Sequence, residues 1–267
     1  MTFCVGIKVE GGLVGLADTR VTSGSECITA RKVSVFNIGG CPMFIMTSGL
    51  RSVRDKVVTY FEESIQKHGR SFDRLFRAVN ALSEQIRIVA KEDKEALHES
   101  GLTFNMHTLV GGQLKNDIEH KLYLVYPQGN WVEIEPGTPY SIIGATGYGK
   151  PVLDRTLTYG DSMAFALRIA CLAFDSTRLS AADVDFPIDI VLYKKNSFQF
   201  TQRRFVKGDL APISQWWQER LRESVKQLPA EWQTDLFEEV ERTAFVPNGR
   251  VVDKPKRRAA AKKKPTP

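Results

Sequence analysis

Apolar residues recur along this chain at two different periods, and the order in which those periods change restricts the folds open to it. From Thr2 to Lys8 apolar positions nearly alternate, Gly11-Gly12 supplies a turn, and Leu13 to Ala17 resumes the run, which predicts a β-hairpin starting at the second residue. A second pair, Lys32 to Ile38 and Pro42 to Ser48, is joined by Gly39-Gly40. The period then lengthens: Val53, Val57, Val58, Phe61 and Ile65 form one helical stripe and Phe72, Leu75, Phe76, Val79, Leu82, Ile86 and Val89 another, split near Gly69. Strands return at Thr103 to Gly111 and Lys121 to Tyr126, followed by Ser141-Ile142-Ile143 and a glycine-rich turn. Helical patterns run through Asp154 and from Ser162 to Thr177, and strands close the series at Ile188 to Tyr193 and Phe198 to Val206. Strand blocks separated by helix pairs predict an α+β fold, with sheets stacked face to face and helices outside.

Composition is that of a globular protein, 42% hydrophobic and 25% charged over 267 residues, enough for one core or for a domain with an appendage. Leu210, Ile213, Trp217, Leu221, Val225 and Leu228 predict one more amphipathic helix, so a main domain is expected over 2–206 and a helical extension over 207–246. The net charge of +6 is concentrated in a basic, Ala/Pro-rich tail at 247–267, expected to be disordered. Asp253 and the seven Lys and Arg residues after it account for the whole excess, leaving 30 basic and 30 acidic residues elsewhere. A neutral body gives no electrostatic reason to expect nucleic acid, although the tail alone could touch nucleic acid or a membrane surface. Cys4, Cys27, Cys41 and Cys171 lie far apart, and His68, His98, His107 and His120 lack ligand spacing, so neither a disulfide framework nor a metal site is expected, nor any cofactor. No apolar run approaches the ~18 residues a membrane span needs, and the expected location is the cytosol.

A strand that begins at the second residue makes sense if the chain's own terminus belongs to a site. Thr2 is the candidate nucleophile. Its hydroxyl is weak alone, but once Met1 is removed a free α-amine, with a reference pKa of roughly 7.7–8, can exchange protons beside it.

The segment TFCVGIKVEGGLVGLADTR, the pair Arg31-Lys32 and the strand end MTSG resemble the N-terminal half of proteasome β-subunits, and FDSTRLSAADVDFPIDIV resembles a later motif of the same proteins. The start on Met-Thr fits their bacterial ancestral β-subunit (Anbu) branch, and the resemblance covers about residues 2–206. It implies a four-layer αββα sandwich of N-terminal-nucleophile hydrolase type, a threonine peptidase or amidase acting on peptide or amide substrates, and a homo-oligomer, ring or open ring. Residue by residue it implies Thr2 as nucleophile, Asp18 as an orienting carboxylate, Lys32 as the cation that tunes or accepts the threonine proton, and Gly49 as an oxyanion N–H donor. It also places Thr146 and Asp175 where such subunits set a hydroxyl and an aspartate near the threonine amine, with a further hydroxyl from Ser176, Thr177 or Ser180. Lysine suits its role because its pKa moves on burial, which that of Arg31 does not.

Two other readings compete. Gly144 to Lys150 nearly spells a phosphate-binding G-x-x-x-x-G-K loop, but Pro151 stands where a magnesium-holding Ser or Thr is needed, and the βαβ alternation is missing. The fold could also serve assembly or peptide binding, with its chemistry vestigial. Taken singly, Asp18 is an ordinary turn residue, Lys32 a strand end, Gly49 a helix-start glycine and Thr2 a β-former.

Overall fold

The computed structural model describes residues 2–23 and 26–242, so the predicted disordered tail at 247–267 lies outside the described residues. Two compact units make up the chain, Met1–Gln215 and Trp216–Pro267.

In the first unit the opening hairpin is β1 (Phe3–Val9) and β2 (Gly12–Asp18). A short hairpin that the sequence pattern did not reveal follows, β3 (Arg20–Ser23) with β4 (Glu26–Thr29). Next come β5 (Val33–Ile38), β6 (Cys41–Gly49), α1 (Arg51–His68), a 3-10 turn at Gly69–Ser71 and α2 (Leu75–Glu99). The predicted break near Gly69 is where the two helices part. Strands β7 (Met106–Gly112), β8 (Lys121–Val125), β9 (Trp131–Glu133) and β10 (Tyr140–Gly144) precede α3 (Lys150–Thr156), α4 (Met163–Ser180), β11 (Ile188–Lys194) and β12 (Phe200–Phe205).

The strands form two five-stranded sheets, β10-β1-β2-β11-β12 and β5-β6-β7-β8-β9. Every pairing among the described residues is antiparallel, which removes the βαβ context a phosphate-binding loop requires. Alternation within single strands builds the layers. Phe3, Val5, Ile7 and Val9 of β1 pack with Leu153, Ala170 and Phe174 of α3 and α4, while Cys4 between them faces the opposite sheet's Phe44, Met46 and Leu109. Met43 and Ile45 of β6 point the other way, into a core with Val53, Val57 and Phe61 of α1 and Leu82 and Ile86 of α2. Three apolar cores therefore separate four layers, helices, sheet, sheet and helices: the αββα sandwich expected from the resemblance. Close approach of the sheets depends on Gly6, where an added Cβ would come within 3.2 Å of Leu122.

α5 (Lys207–Lys226) begins in the first unit and runs into the second, which adds α6 (Glu231–Arg242). The sequence pattern predicts one helix to Leu228; Pro229 ends it and a second helix follows, because proline lacks an N–H and restricts the residue before it. No helix among the described residues is long and apolar enough to cross a membrane.

Candidate active site

Antiparallel register brings distant residues to one end of the sandwich. Phe3 pairs with Gly144 and Cys4 with Ala17, so the start of β1 and the ends of β2 and β10 share an edge of the first sheet. In the second sheet Val33 pairs with Met46 and Gly49 with Met106, which gathers the start of β5 and the end of β6. A cavity of about 660 Å³ opens there, lined by Thr2, Lys32 and Gly49 together with Arg20, Thr47, Ser48, Asn105 and Gly144.

The peptide unit joining Thr2 to Phe3 is held at both polar ends. Its N–H, on Phe3, donates to Asp18 Oδ1 at 2.8 Å, and its carbonyl, on Thr2, accepts from Ala145 N–H at 2.7 Å. Gly144 makes this approach feasible: its φ is +91°, and a Cβ there would lie 1.9 Å from the Thr2 carbonyl oxygen. Asp18 Oδ1 also accepts from Lys32 Nζ at 2.7 Å, and Lys32 donates again to the Arg20 carbonyl at 2.7 Å. Two of the three ammonium donors are thereby used, leaving one for a group in the cavity that Lys32 lines. Asp18 is fully buried and Lys32 only 5% exposed. Burial pushes the Asp18 carboxyl above the ordinary range, opposed by the charge and hydrogen bond of Lys32 and then by the N–H groups of Phe3 and Arg20.

Gly49 ends β6 with φ at +131°, and a Cβ there would sit 2.0 Å from the Asn105 carbonyl oxygen, so only glycine fits. Cys4, two residues from Thr2, is no rival nucleophile. It is fully buried, burial drives its thiol well above the normal range, and Sγ lies 3.8 Å from the Thr47 carbonyl.

Thr2, Lys32 and Gly49 thus share one cavity with Asp18 bonded to Lys32, whereas Thr146 and Asp175 do not line it. Thr146 is exposed, and its carbonyl accepts from Lys150 N–H at the start of α3. Asp175 is engaged elsewhere: Oδ1 takes Arg178 Nε at 2.9 Å, Oδ2 takes the Ser214 hydroxyl at 3.1 Å, and Arg178 also reaches Ser214. Thr177 is buried with its hydroxyl on the Ala173 carbonyl, Ser176 is half-buried and Ser180 exposed; none lines the cavity. Sequence reasoning missed the Arg20 carbonyl, Ala145 N–H, Ser48 and Asn105, because backbone groups and isolated polar side chains leave no pattern in a single chain. No group of three or more His, Cys, Asp or Glu among the described residues could hold a metal ion.

The sequence profile of the proteasome subunit family matches residues 2–191. The chain belongs to that family. Solved structures of Anbu, the ancestral β-subunit, resemble it along most of its length. A Gly-1 mutant of Anbu from Hyphomicrobium sp. strain MC1 is 28% identical, with a TM-score of 0.78 over 85% of this chain and 99% of that one. Anbu from Yersinia bercovieri is 29% identical, with a TM-score of 0.78 over 85% and 97%. The Anbu complex of Pseudomonas aeruginosa, described as a helical assembly, is 28% identical, with a TM-score of 0.79 over 85% and 97%. No curated protein matches the chain. The ancestral β-subunit resemblance seen in the N-terminal motifs therefore extends to the whole sandwich.

Proposed function

We propose that this proteasome-family chain is an N-terminal threonine hydrolase that cleaves amide bonds through an ester on Thr2, exposed after removal of Met1. The observation that carries the reading is the shared Asp18 oxygen, which holds both Lys32 Nζ and the peptide N–H next to Thr2 at the edge of a cavity that Thr2 lines. Thr2 Oγ attacks the substrate carbonyl while its proton passes to the Lys32 side or to the α-amine. The oxyanion is stabilised by the Gly49 N–H, a kind of donor that typically contributes ~3 kcal/mol. Collapse expels the amine, which takes up the proton, and water hydrolyses the ester. Thr146 and Asp175 have no step in this scheme.

One observation favours a second reading, a peptide-binding or assembly subunit with weak catalysis. The residues expected beside the α-amine are engaged elsewhere, Asp175 with Arg178 and Ser214, and Thr146 at the surface. Intact mass before and after a threonine-directed electrophile, on the native chain and on Thr2→Ala, separates the two. A single adduct on the native chain that vanishes with Thr2→Ala supports the hydrolase; retained Met1 in material that still cleaves peptides overturns the mechanism. The helical assembly of the Pseudomonas aeruginosa relative supports homo-oligomerisation here too, which we propose takes the form of a ring or open ring, and sedimentation as a strict monomer would refute it.

A further inference from the structure

Among the described residues, those lining the cavity beside Thr2 include four cations, Arg20, Lys32, Arg51 and Arg54, and no carboxylate. Lys32 is bound to Asp18, and Arg20 lies 3.4 Å from Asp185 and also feels the charge of Asp183. The two arginines of α1 are less well matched, because both rely on Asp55. Arg54 Nε lies 2.8 Å from its Oδ1 and Arg51 Nε 3.4 Å from its Oδ2. One carboxylate thus serves two guanidiniums, at the end of a helix that has no acidic residue in its first turn and no side-chain cap. Arg54 is 25% exposed and also donates to the Arg31 carbonyl, so its stem is fixed, whereas Arg51, at 56%, is free to swing. An exposed i,i+4 pair such as Arg51 with Asp55 exchanges partners at little cost.

We propose that this cavity selects substrates carrying a carboxylate side chain on the acyl side of the scissile bond, with Arg54 and Arg51 as specificity-determining residues. The inference rests on Thr2 as the attacking residue. The carbon that Thr2 attacks keeps its acyl substituent after the amine departs, and that substituent extends into the space which Thr2 and Gly49 line together. A planar guanidinium held at its base suits a carboxylate, which it can meet through two parallel N–H bonds, and it discriminates against the isosteric amide.

The test compares peptides that differ only in Glu or Gln before the scissile bond. The native chain should favour Glu at least ~10-fold in kcat/KM, a difference of about 1.4 kcal/mol, and Arg51→Gln/Arg54→Gln should bring the ratio close to one. Turnover with equal or Gln-favoured rates overturns the specificity while leaving Thr2 chemistry standing. Equilibrium binding of the same peptides to Thr2→Ala reads selectivity without turnover. Tighter binding of the Glu peptide there, lost in the double arginine variant, supports the cationic site even if the native chain cleaves nothing. Equal binding of both peptides overturns it.

Discussion

Replacing Lys32 with methionine removes the charge but keeps most of the stem, and so isolates what the ion pair contributes. Asp18 is fully buried and its Oδ2 has no partner, so once Lys32 is gone the carboxylate retains only backbone N–H donors on the other oxygen. Deleting one member of a buried pair costs about 3–5 kcal/mol, because the remaining charge stays desolvated. For a domain of this size that corresponds to a fall in Tm of roughly 6–20 °C. The pH dependence identifies the cause. Burial already raises the Asp18 carboxyl, and without Lys32 the opposing charge is lost, so the deficit is full only above that raised value. It shrinks as pH falls through that raised value and the carboxyl becomes neutral. Adding Asp18→Asn to Lys32→Met leaves no charge buried and should recover most of the loss. Denaturant unfolding of the two single variants and the double, at fixed protein concentration and at several pH values, completes the cycle. A loss below ~1 kcal/mol at pH 7, or one that does not change with pH, would refute the claim that Asp18 carries a buried charge neutralised by Lys32.

Lys32→Arg keeps the charge but cannot give up its proton near neutrality, so if lysine acts as the base, turnover of a fluorogenic peptide should fall below about a tenth of native, and retention above that favours a purely electrostatic role. Gly49→Ala drives a Cβ into the Asn105 carbonyl at a backbone angle L residues rarely adopt, and thermal unfolding should show a loss of at least ~3 kcal/mol. His120 is buried with Nε2 on the Val9 carbonyl, and burial lowers its pKa against the effect of that bond. Its contribution to stability is therefore complete above the unfolded value of about 6.5 and lost as pH falls toward the depressed folded one. His120→Gln, which can still donate to that carbonyl, should flatten the decline in Tm just below pH 6.5.

Local patterns made much of this molecule legible. Alternation from Thr2 to Ala17 carries both the opening hairpin and the parity that brings Cys4 between the sheets, and the stripes from Val53 to Val89 carry α1 and α2. Thr2 could be named because the opening strand begins beside it, whereas Asp18, Lys32 and Gly49 were named through the resemblance to proteasome β-subunits. The hairpin of β3 and β4 was missed because four-residue strands are too short to display a period, although its Arg20, Val21 and Ile28 line the cavity. Asp175 shows the opposite difficulty. Its partner Arg178 lies one helical turn along α4, but Ser214 comes from a helix 39 positions away, and no spacing rule signals that meeting.

The Thr2–Phe3 peptide is planar and held at its carbonyl by Ala145 N–H and at its N–H by Asp18, so its orientation is set without help from the side chain of residue 2. The second residue is in this sense a socket. Serine or cysteine substituted there would hang from the same fixed backbone, facing the same cavity, and would differ mainly in rotamer freedom and in the acidity of the attacking group. The scaffold thus separates presentation from reactivity, and one frame could host an alcohol or a thiol as its working group with no change beyond a single codon.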